Sequence, residues 1–231
     1  MGYIAIIPAR SGSKGLKDKN IKLLNGKPLI YYSIQAALQS GCFDEVFVST
    51  DSEHYRQIAI ECGASVPFLR SNENATDTAD SWDVVRETIK NYEKLGKHFD
   101  GFMLLQPTSP LRTADDIKNA FKVKKKKRAD SVLSIVEEEH SPLYASTLPK
   151  NLSLARMYKS KYFNYRRQDL PTYYRLNGAI YLSDMDNFIN NGTIYSGKVV
   201  GYIMPKERSI DIDEAIDFKI AEILIEQGKL L

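Results

Sequence analysis

Short, continuous apolar runs alternate along the chain with segments whose apolar residues recur at helical spacing. Continuous runs predict strands buried on both faces of a sheet, and periodic segments predict helices that bury one side. The predicted strands are residues 3–7, 45–50, 100–105, 130–136, 176–182 and 199–204, with a turn and short strand at 63–70. The predicted helices, with their caps, are residues 28–40, 51–62, 81–95, 113–127, 185–190 and 214–227. This alternation is typical of a doubly wound α/β protein with a mostly parallel sheet.

The alternation is interrupted between residues 140 and 175, which are irregular, aromatic and basic. Two interpretations compete for this segment. It is either a flap over a binding site or an excursion that buries its aromatic residues against a second subunit, since such residues are enriched at interfaces. We prefer the second. The chain is then one domain of residues 1–231 with a small protruding dimerisation excursion at 140–175.

Composition narrows the class of protein. The 231 residues, 43% hydrophobic and 26% charged, are enough for one α/β domain with a sizeable core. A net charge of +3 gives no reason to expect nucleic acid as a partner. Two cysteines without a CxxC motif suit a reducing compartment and argue against structural zinc. The N-terminus lacks the pattern of a signal peptide and no apolar run approaches membrane length, so we expect a cytoplasmic protein without a membrane partner.

The first predicted strand runs into a loop rich in glycine and cations. Its cations are Arg10, Lys14, Lys17 and Lys19. Glycines let backbone N–H groups approach a ligand, and together with Lys and Arg they form a site for phosphate. The loop matches neither GxxxxGK[ST] nor GxGxxG, so the two common phosphate motifs are absent. A merely basic surface loop is the alternative, which the position directly after a buried strand disfavours.

Asp211 and Asp213 alternate with isoleucines in the segment SIDID. On an extended chain this spacing places both carboxylates on one side. Two hard oxygen ligands suit Mg²⁺, which also takes phosphate oxygens. Alternatively, Asp213 caps the last helix and Asp211 is solvated. Beside a cationic phosphate loop we prefer the metal site.

Three further segments leave their alternatives open. The loop Gln106–Arg112 follows a central strand and is either a substrate-binding loop or a rigid turn. Arginines at 166, 167 and 175 either bind an acidic substrate or are ordinary surface charges. The basic run 122–128 ends a predicted helix, where cations suit the macrodipole, and is interpreted as a solvated face rather than a nucleic-acid contact.

Five motifs in order resemble the acylneuraminate cytidylyltransferase family. They are IPARSGSKG with KN at 19–20, VSTD at 48–51, LR with ATDTADS at 69–81, LLQPTSPLRT at 104–113, and RLNGAIYL with SIDID further on. The resemblance spans essentially the whole chain, and the later motifs are far more specific than a single glycine motif. It implies a Rossmann-like fold, a homodimer, and the reaction of CTP with an acidic nine-carbon sugar to give the CMP-sugar and pyrophosphate.

The resemblance also implies roles for individual residues. It implies a nucleotide site of polar and cationic residues: Arg10, Ser13, Lys14, Lys19, Asn20, Arg70 and Ser81. It implies a site for the acidic sugar: Gln106, Arg167, Arg175, Tyr181 and Tyr195. Asp211 and Asp213 would hold Mg²⁺, and the catalytic residues would be Arg10, Lys19 and Asp211.

The sequence departs from the family pattern in three places. Ser11 stands where many members have glycine, and Asp80 adds a charge in the third position of TADS. Ile194 and Tyr195 replace an aromatic pair in the expected sugar pocket, which leaves legionaminic or pseudaminic acid as alternatives to N-acylneuraminate. A Kdo-type enzyme and a nucleotide-binding domain without catalysis are the more distant alternatives.

Overall fold

A computed structural model describes residues 2–12, 16–76, 78–158, 162 and 164–228, with residues 158 and 167 described through their backbones alone. Its strands are β1 (Tyr3–Pro8), β2 (Leu23–Leu24), β3 (Lys27–Pro28), β4 (Glu45–Ser49), β5 (Gly101–Leu104), β6 (Ser131–Glu137), β7 (Tyr174–Asp184) and β8 (Val199–Ile203). Its α-helices are α1 (Leu29–Ser40), α2 (Glu53–Glu61), α3 (Ser81–Lys94), α4 (Ala114–Lys127), α5 (Ala155–Tyr158), α6 (Met185–Asn191) and α7 (Ala215–Glu226).

Six of the strands form one sheet in the order β4-β1-β5-β7-β6-β8. The neighbours pair in parallel except β7, which runs antiparallel to both β5 and β6. The prediction of a mostly parallel α/β sheet flanked by helices is therefore confirmed. Leu104 at the end of β5 pairs with Tyr181, so the residues of β7 before Tyr181 extend beyond the carboxyl end of β5.

The core forms on the central strands because their side chains are apolar on both faces. Ile4, Ile6 and Ile7 of β1 are fully buried between β4 and β5, as a continuous apolar run predicts. Their carboxyl ends, together with the loops that follow, form the edge where an open α/β sheet binds its ligand.

Three details of the strand prediction were wrong. The first strand extends one residue further than predicted, because Pro8 pairs with Ser49, and Ala9 N donates to Ser49 O at 2.8 Å. Successive residues of a strand donate to opposite neighbours, so the missing N–H of Pro8 faces the β5 side, where pairing has already ended at Ile6. The predicted short strand at 63–70 is a single bridge between Ser65 and Phe47. A hairpin of β2 and β3 precedes α1, and it was not foreseen.

The excursion is shorter than predicted, because β7 begins at Tyr174 rather than at 176. Its last residues, 174 and 175, pair with β6 through Glu137 and Val136 and belong to the sheet. Between β6 and β7 the described residues form only single helical turns, at Pro142–Tyr144, Ala155–Tyr158 and Arg167–Asp169. Among the helices that the structure describes, none is long and apolar enough to cross a bilayer.

Candidate active site

A cleft of about 570 Å³ opens at the carboxyl ends of β1, β4 and β5. Such a volume is ordinary for a site that takes a small molecule. Seven of the residues predicted to form the site line it: Arg10, Lys19, Asn20, Arg70, Ser81, Gln106 and Asp213. The five proposed nucleotide residues that the structure describes and one carboxylate of the SIDID segment therefore lie in the same cavity.

Lys19 joins the first loop to the SIDID segment. Its Nζ donates to the backbone oxygen of Ile212 at 2.6 Å and lies 3.4 Å from Oδ1 of Asp213. The lysine side chain is mostly buried, whereas that of Asp213 is 77% exposed. A cation from the N-terminal loop and a carboxylate from near the C-terminus are thus held together at the mouth of the cleft.

Arg70 is almost completely buried at the end of β4. Its Nε donates to Ser49 Oγ at 3.0 Å and its Nη2 to Ser49 O at 2.7 Å. Burial lowers the pKa of its guanidinium to about 10, with Asp51 acting in the opposite direction. Asn20 is also buried and donates to Arg10 O at 3.1 Å. The polar groups on this side of the cleft are therefore fixed by the fold itself.

Ser11 anchors the first loop to the end of β4. Its backbone N and its Oγ donate to the two carboxylate oxygens of Asp51, at 2.8 Å and 2.7 Å. Burial raises the pKa of Asp51, but the hydrogen bonds from Ser11 outweigh it and leave that pKa below its ordinary value. The serine that replaces the family's glycine has gained a structural partner here.

Asp211 is the least satisfied carboxylate of the site. Its Oδ1 is buried and has no hydrogen-bond partner among the described residues. Burial raises its pKa, helped by the neighbouring charge of Asp213, while Thr108, Lys19 and Arg175 act to lower it. A buried carboxylate oxygen without a donor is costly unless a cation or a proton donor reaches it.

Gly178 lies beside both Gln106 and Asp211. A Cβ at this position would make ordinary contacts, 3.5 Å from Gln106 Oε1 and 3.6 Å from Asp211 Oδ2, but the backbone has φ = +76°. The left-handed conformation, and not a lack of space, favours glycine here. The antiparallel direction of β7 is what brings this residue to the carboxyl end of β5.

The residues predicted to bind sugar are divided between an aromatic cluster and an exposed arginine. The ring of Trp82 lies 5.9 Å from that of Tyr181 and 6.0 Å from that of Tyr195. Arg175 is half exposed, and its Nε lies 3.2 Å from Oε2 of Glu138. Among the described residues that line the cleft, only Gln106 of the predicted sugar site is present.

Ser13 and Lys14 lie outside the described residues. The backbone of residue 167 is part of the turn Arg167–Asp169, and its side chain is outside the description. The sequence pattern missed the aromatic role of Trp82 and the cleft residues Asn74 and Thr76. Trp82 follows Ser81 and occupies the first turn of α3, a position that the TADS motif could have indicated.

A mostly parallel sheet with a cationic cleft at its carboxyl edge is typical of nucleotide-binding α/β proteins. Residues 4–231 match the family model for cytidylyltransferase. Since this match spans nearly all of the sequence, the chain belongs to the cytidylyltransferase family, as the motifs predicted.

Two curated relatives share much of the sequence. The N-acylneuraminate cytidylyltransferase of Streptococcus agalactiae serotype III (strain NEM316) is 42% identical over 221 residues, which cover 94% of this chain and 52% of that protein. The chain thus spans about half the length of this relative. The CMP-N,N'-diacetyllegionaminic acid synthase of Legionella pneumophila is 39% identical over 233 residues, which cover 98% of this chain and 97% of that protein.

The fold also matches a solved structure of CMP:2-keto-3-deoxy-manno-octonic acid synthetase complexed with CTP. The TM-score is 0.72, with 17% sequence identity over 99% of this chain and 100% of that chain. Similarity at this low identity concerns the fold, and it confirms the Rossmann-like architecture.

Proposed function

We propose that this protein transfers the CMP group of CTP to an acidic nine-carbon sugar of the N-acylneuraminate type. The products are the CMP-sugar and pyrophosphate. The names of the two curated relatives support this reaction class, as do the motifs from which the family was first expected. CTP and the nonulosonate sugar are then the small-molecule partners of the enzyme.

One observation carries the proposal: Lys19 and Asp213 of the SIDID segment meet in a single cleft. Lys19 Nζ bonds to the backbone of Ile212 and lies beside Asp213, while Arg10 lines the same cavity. The cationic side chains attract the triphosphate of CTP. The carboxylates would repel it unless a bound metal cation lay between them and the phosphates. This combination is what phosphoryl transfer requires, since it depends on positioning and charge neutralisation.

In the proposed mechanism the anomeric hydroxyl of the sugar attacks the α-phosphorus of CTP. The new P–O bond forms as the bond to pyrophosphate breaks in line. Arg10 and Lys19, with the Lys14 expected from the motif, hold the triphosphate and stabilise the charge that develops on the leaving group. We assign the acceptance of the hydroxyl proton to Asp211, because its Oδ1 has no hydrogen-bond partner among the described residues.

The carboxylates fit a divalent cation by the chemistry of their donors. Asp211 Oδ1 is buried without a partner in the described residues, and Asp213 lies close enough to affect its pKa. The described residues contain no group of three or more His, Cys, Asp or Glu able to hold a metal. Two carboxylates with phosphate oxygens and water suit Mg²⁺. Asp211 and Asp213 would hold Mg²⁺, which when bound neutralises phosphate charge and polarises the α-phosphate.

A second candidate function is the same reaction with legionaminic acid as the sugar. The Legionella relative matches over nearly its whole length, and Ile194 with Tyr195 stands where the sialic-acid pattern has an aromatic pair. We propose that Gln106, Arg167 and Arg175 bind the acidic part of the sugar, and that Tyr181 and Tyr195 contact its acyl substituents. Trp82 supports both tyrosine rings.

We also propose that the enzyme is a homodimer joined by the excursion, and that it works in the cytoplasm, where CTP is available. Apolar side chains of the excursion face solvent in the single chain, among them Leu148, Leu152 and Leu154. Sedimentation analysis should give the mass of two chains, and Leu148→Glu should shift it toward one. A wild-type protein that sediments as one chain would contradict the dimer.

The reaction is tested by pyrophosphate release from CTP and Mg²⁺ with N-acetylneuraminate, legionaminate, pseudaminate or Kdo. We expect turnover with one of the acylated nonulosonates, none with Kdo and none without sugar. Folded protein that binds CTP yet releases no pyrophosphate with any of them would refute the proposal. It would favour the nucleotide-binding domain without catalysis.

A further inference from the structure

A second cleft, of about 690 Å³, lies on another part of the surface. Its walls come from α1, the β2–β3 hairpin, the loop before α4, the first residues of α4 and the end of α7. None of the described residues that line it also lines the first cleft. Neither the sequence motifs nor the proposed reaction assigns it a ligand.

Arg112 lies in the wall of the second cleft and is only 2% exposed. Its Nη1 donates to Ala179 O at 2.8 Å and to Gln106 O at 3.3 Å. Its Nε and Nη2 have no acceptor among the described residues. A buried guanidinium that lacks acceptors for two of its nitrogens is costly, so this residue points to a missing anion.

The nearest carboxylate does not supply these acceptors. Asp116 attracts Arg112 electrostatically, but both of its oxygens are already engaged. Oδ1 accepts from Tyr202 Oη at 2.8 Å, and Arg208 bonds to Oδ1 and Oδ2 at 3.0 Å and 2.9 Å. Arg208 thus neutralises the charge of Asp116, and Arg112 is left without a paired carboxylate among the described residues.

The first turn of α4 adds two free donors to the same cleft. Thr113 Oγ1 accepts from the N–H of Asp116, and Thr113 O accepts from that of Ile117. The N–H groups of Ala114 and Asp115, which both line the cleft, have no acceptor among the described residues. Such N–H groups at the start of a fourteen-residue helix favour an anion.

The remaining charges of the lining also favour an anion. Lys27 is cationic, Arg208 is already paired with Asp116, and among the described lining residues Asp115 is the one carboxylate. The Asp115 side chain is 80% exposed and lies 3.4 Å from Lys118 Nζ. It therefore weakens the positive field at the opening without matching the charge of Arg112.

We propose that the second cleft binds a small oxyanion, a phosphate or a carboxylate, between Arg112 and the first N–H groups of α4. Because Arg112 also holds the carbonyl groups of Gln106 and Ala179, the bound anion would stiffen the Gln106 segment, which lines the first cleft, and its contact with β7. The second cleft is then a regulatory site, and an anion bound there changes how the first cleft holds its substrate. Binding at this site is independent of whether the proposed transfer reaction is correct.

The test is calorimetric titration of the metal-free protein with inorganic phosphate and, separately, with succinate. Three variants distinguish binding at the second cleft from binding at the first. Ala114→Pro and Asp115→Asn alter the second cleft, and Lys19→Ala alters the first. Proline is well tolerated at the first position of a helix and removes its N–H. Thr113 already has the extended conformation, φ −99° and ψ 166°, that a following proline requires.

We expect a binding event that persists in Lys19→Ala, weakens about tenfold in Ala114→Pro and tightens severalfold in Asp115→Asn. Stronger binding of phosphate or of succinate identifies the class of oxyanion. No uptake of either anion would overturn the proposal and would mean that water satisfies Arg112. Binding that is lost in Lys19→Ala and unchanged in Ala114→Pro would overturn it too, since all of it would belong to the first cleft. Arg112→Lys adds a further check, and Ala114→Pro remains decisive if that variant does not fold.

Discussion

The first cleft, where the nucleotide is proposed to bind, and the region proposed for the sugar are built differently. On the nucleotide side, polar groups are buried and already bonded: Arg70 to Ser49, Asn20 to Arg10, and Ser11 to Asp51. On the side proposed for the sugar, Arg175 and Tyr195 are each about half exposed. The excursion beside them carries exposed leucines and makes only single helical turns in its described part.

The contrast follows from where each side lies in the fold. The nucleotide side is formed by loops that follow β1 and β4. The residues of these two strands are buried, and their register is fixed by parallel pairing. The sugar side is formed by the start of β7 and by the excursion, whose leucines are exposed to solvent in the single chain. We infer that one chain positions the nucleotide by itself, whereas the sugar or a second chain must complete the other side.

Asp211→Asn should have the largest effect, because Asp211 stands where the two sides meet. We expect turnover to fall by about 10²–10³-fold, since the variant loses the proposed proton acceptor and one of the two proposed metal carboxylates. Stability should be unchanged or higher, because the variant removes a buried carboxylate whose Oδ1 has no partner. Pyrophosphate release and thermal unfolding measure the two quantities.

Asp186→Asn is the matched control, because Asp186 is an exposed aspartate on α6. It should leave both turnover and stability as they are. Turnover within twofold of wild type for Asp211→Asn would contradict the assignment of this residue.

Arg70→Lys should damage the nucleotide side alone. Lysine keeps the charge but loses the forked bonds to Ser49, so the free energy of unfolding should fall by about 2 kcal/mol. The midpoint of thermal unfolding should fall by about 4–8 °C, and the KM for CTP should rise about tenfold. The KM for the sugar should not change.

Arg86→Lys provides the control for this substitution, since Arg86 forms an exposed ion pair with Asp83. Its effect on stability should stay within about 0.5 kcal/mol. A rise in the sugar KM for Arg70→Lys that equals the rise for CTP would contradict the separation of the two sides.

Much of the fold could be predicted because its signals are local. The apolar run of β1, the N-cap at Ser52 and the capping box at Thr113 each act within a few residues, and the structure has all three. The antiparallel direction of β7 could not be predicted in this way, because strand pairing depends on residues far apart in the chain. The hairpin of β2 and β3 was missed since each strand has only two residues.

The site shows the same limit. Motifs located the residues of the cleft, but the bond from Lys19 to Ile212 spans 193 positions and leaves no pattern in the sequence. The hydrogen bonds from Arg112 to the backbone oxygens of Gln106 and Ala179 likewise have no signature in the sequence. Motif spacing indicates which residues matter, whereas which of them are buried or unsatisfied depends on tertiary packing.

Arg175→Ala should affect the sugar side alone. The side chain is half exposed and paired with Glu138, so its loss should leave stability within about 0.5 kcal/mol. The KM for the sugar should rise several-fold, because arginine binds carboxylates through two parallel hydrogen bonds. The KM for CTP should stay constant in steady-state kinetics.

Lys97→Ala is the control, because Lys97 is about as exposed as Arg175 and forms an ion pair with Glu45 at the start of β4, away from the carboxyl ends of the strands. It removes the same charge without touching the cleft. An equal rise in the sugar KM for both variants would mean that net charge, and not Arg175, attracts the sugar.

Ser11→Gly should have the smallest effect and should again fall on the nucleotide side. The variant keeps the backbone bond to Asp51 but loses the bond from Oγ, so stability near neutral pH should fall by about 1 kcal/mol. The KM for CTP should rise about twofold, since the loop that carries Arg10 is less firmly held. The sugar KM should be unaffected.

The pH dependence of this difference separates the Asp51 bond from other effects of glycine. The folded protein lowers the pKa of Asp51 below its ordinary value of 3.8. The stabilisation is therefore complete above pH 3.8 and is lost as the pH falls through the lower, folded-state value. Urea unfolding of wild type and Ser11→Gly should show a gap that is constant from pH 7 to about pH 5 and narrows below about pH 4. A gap that stays constant down to pH 3 would mean that glycine acts through the flexibility of the unfolded chain and not through Asp51.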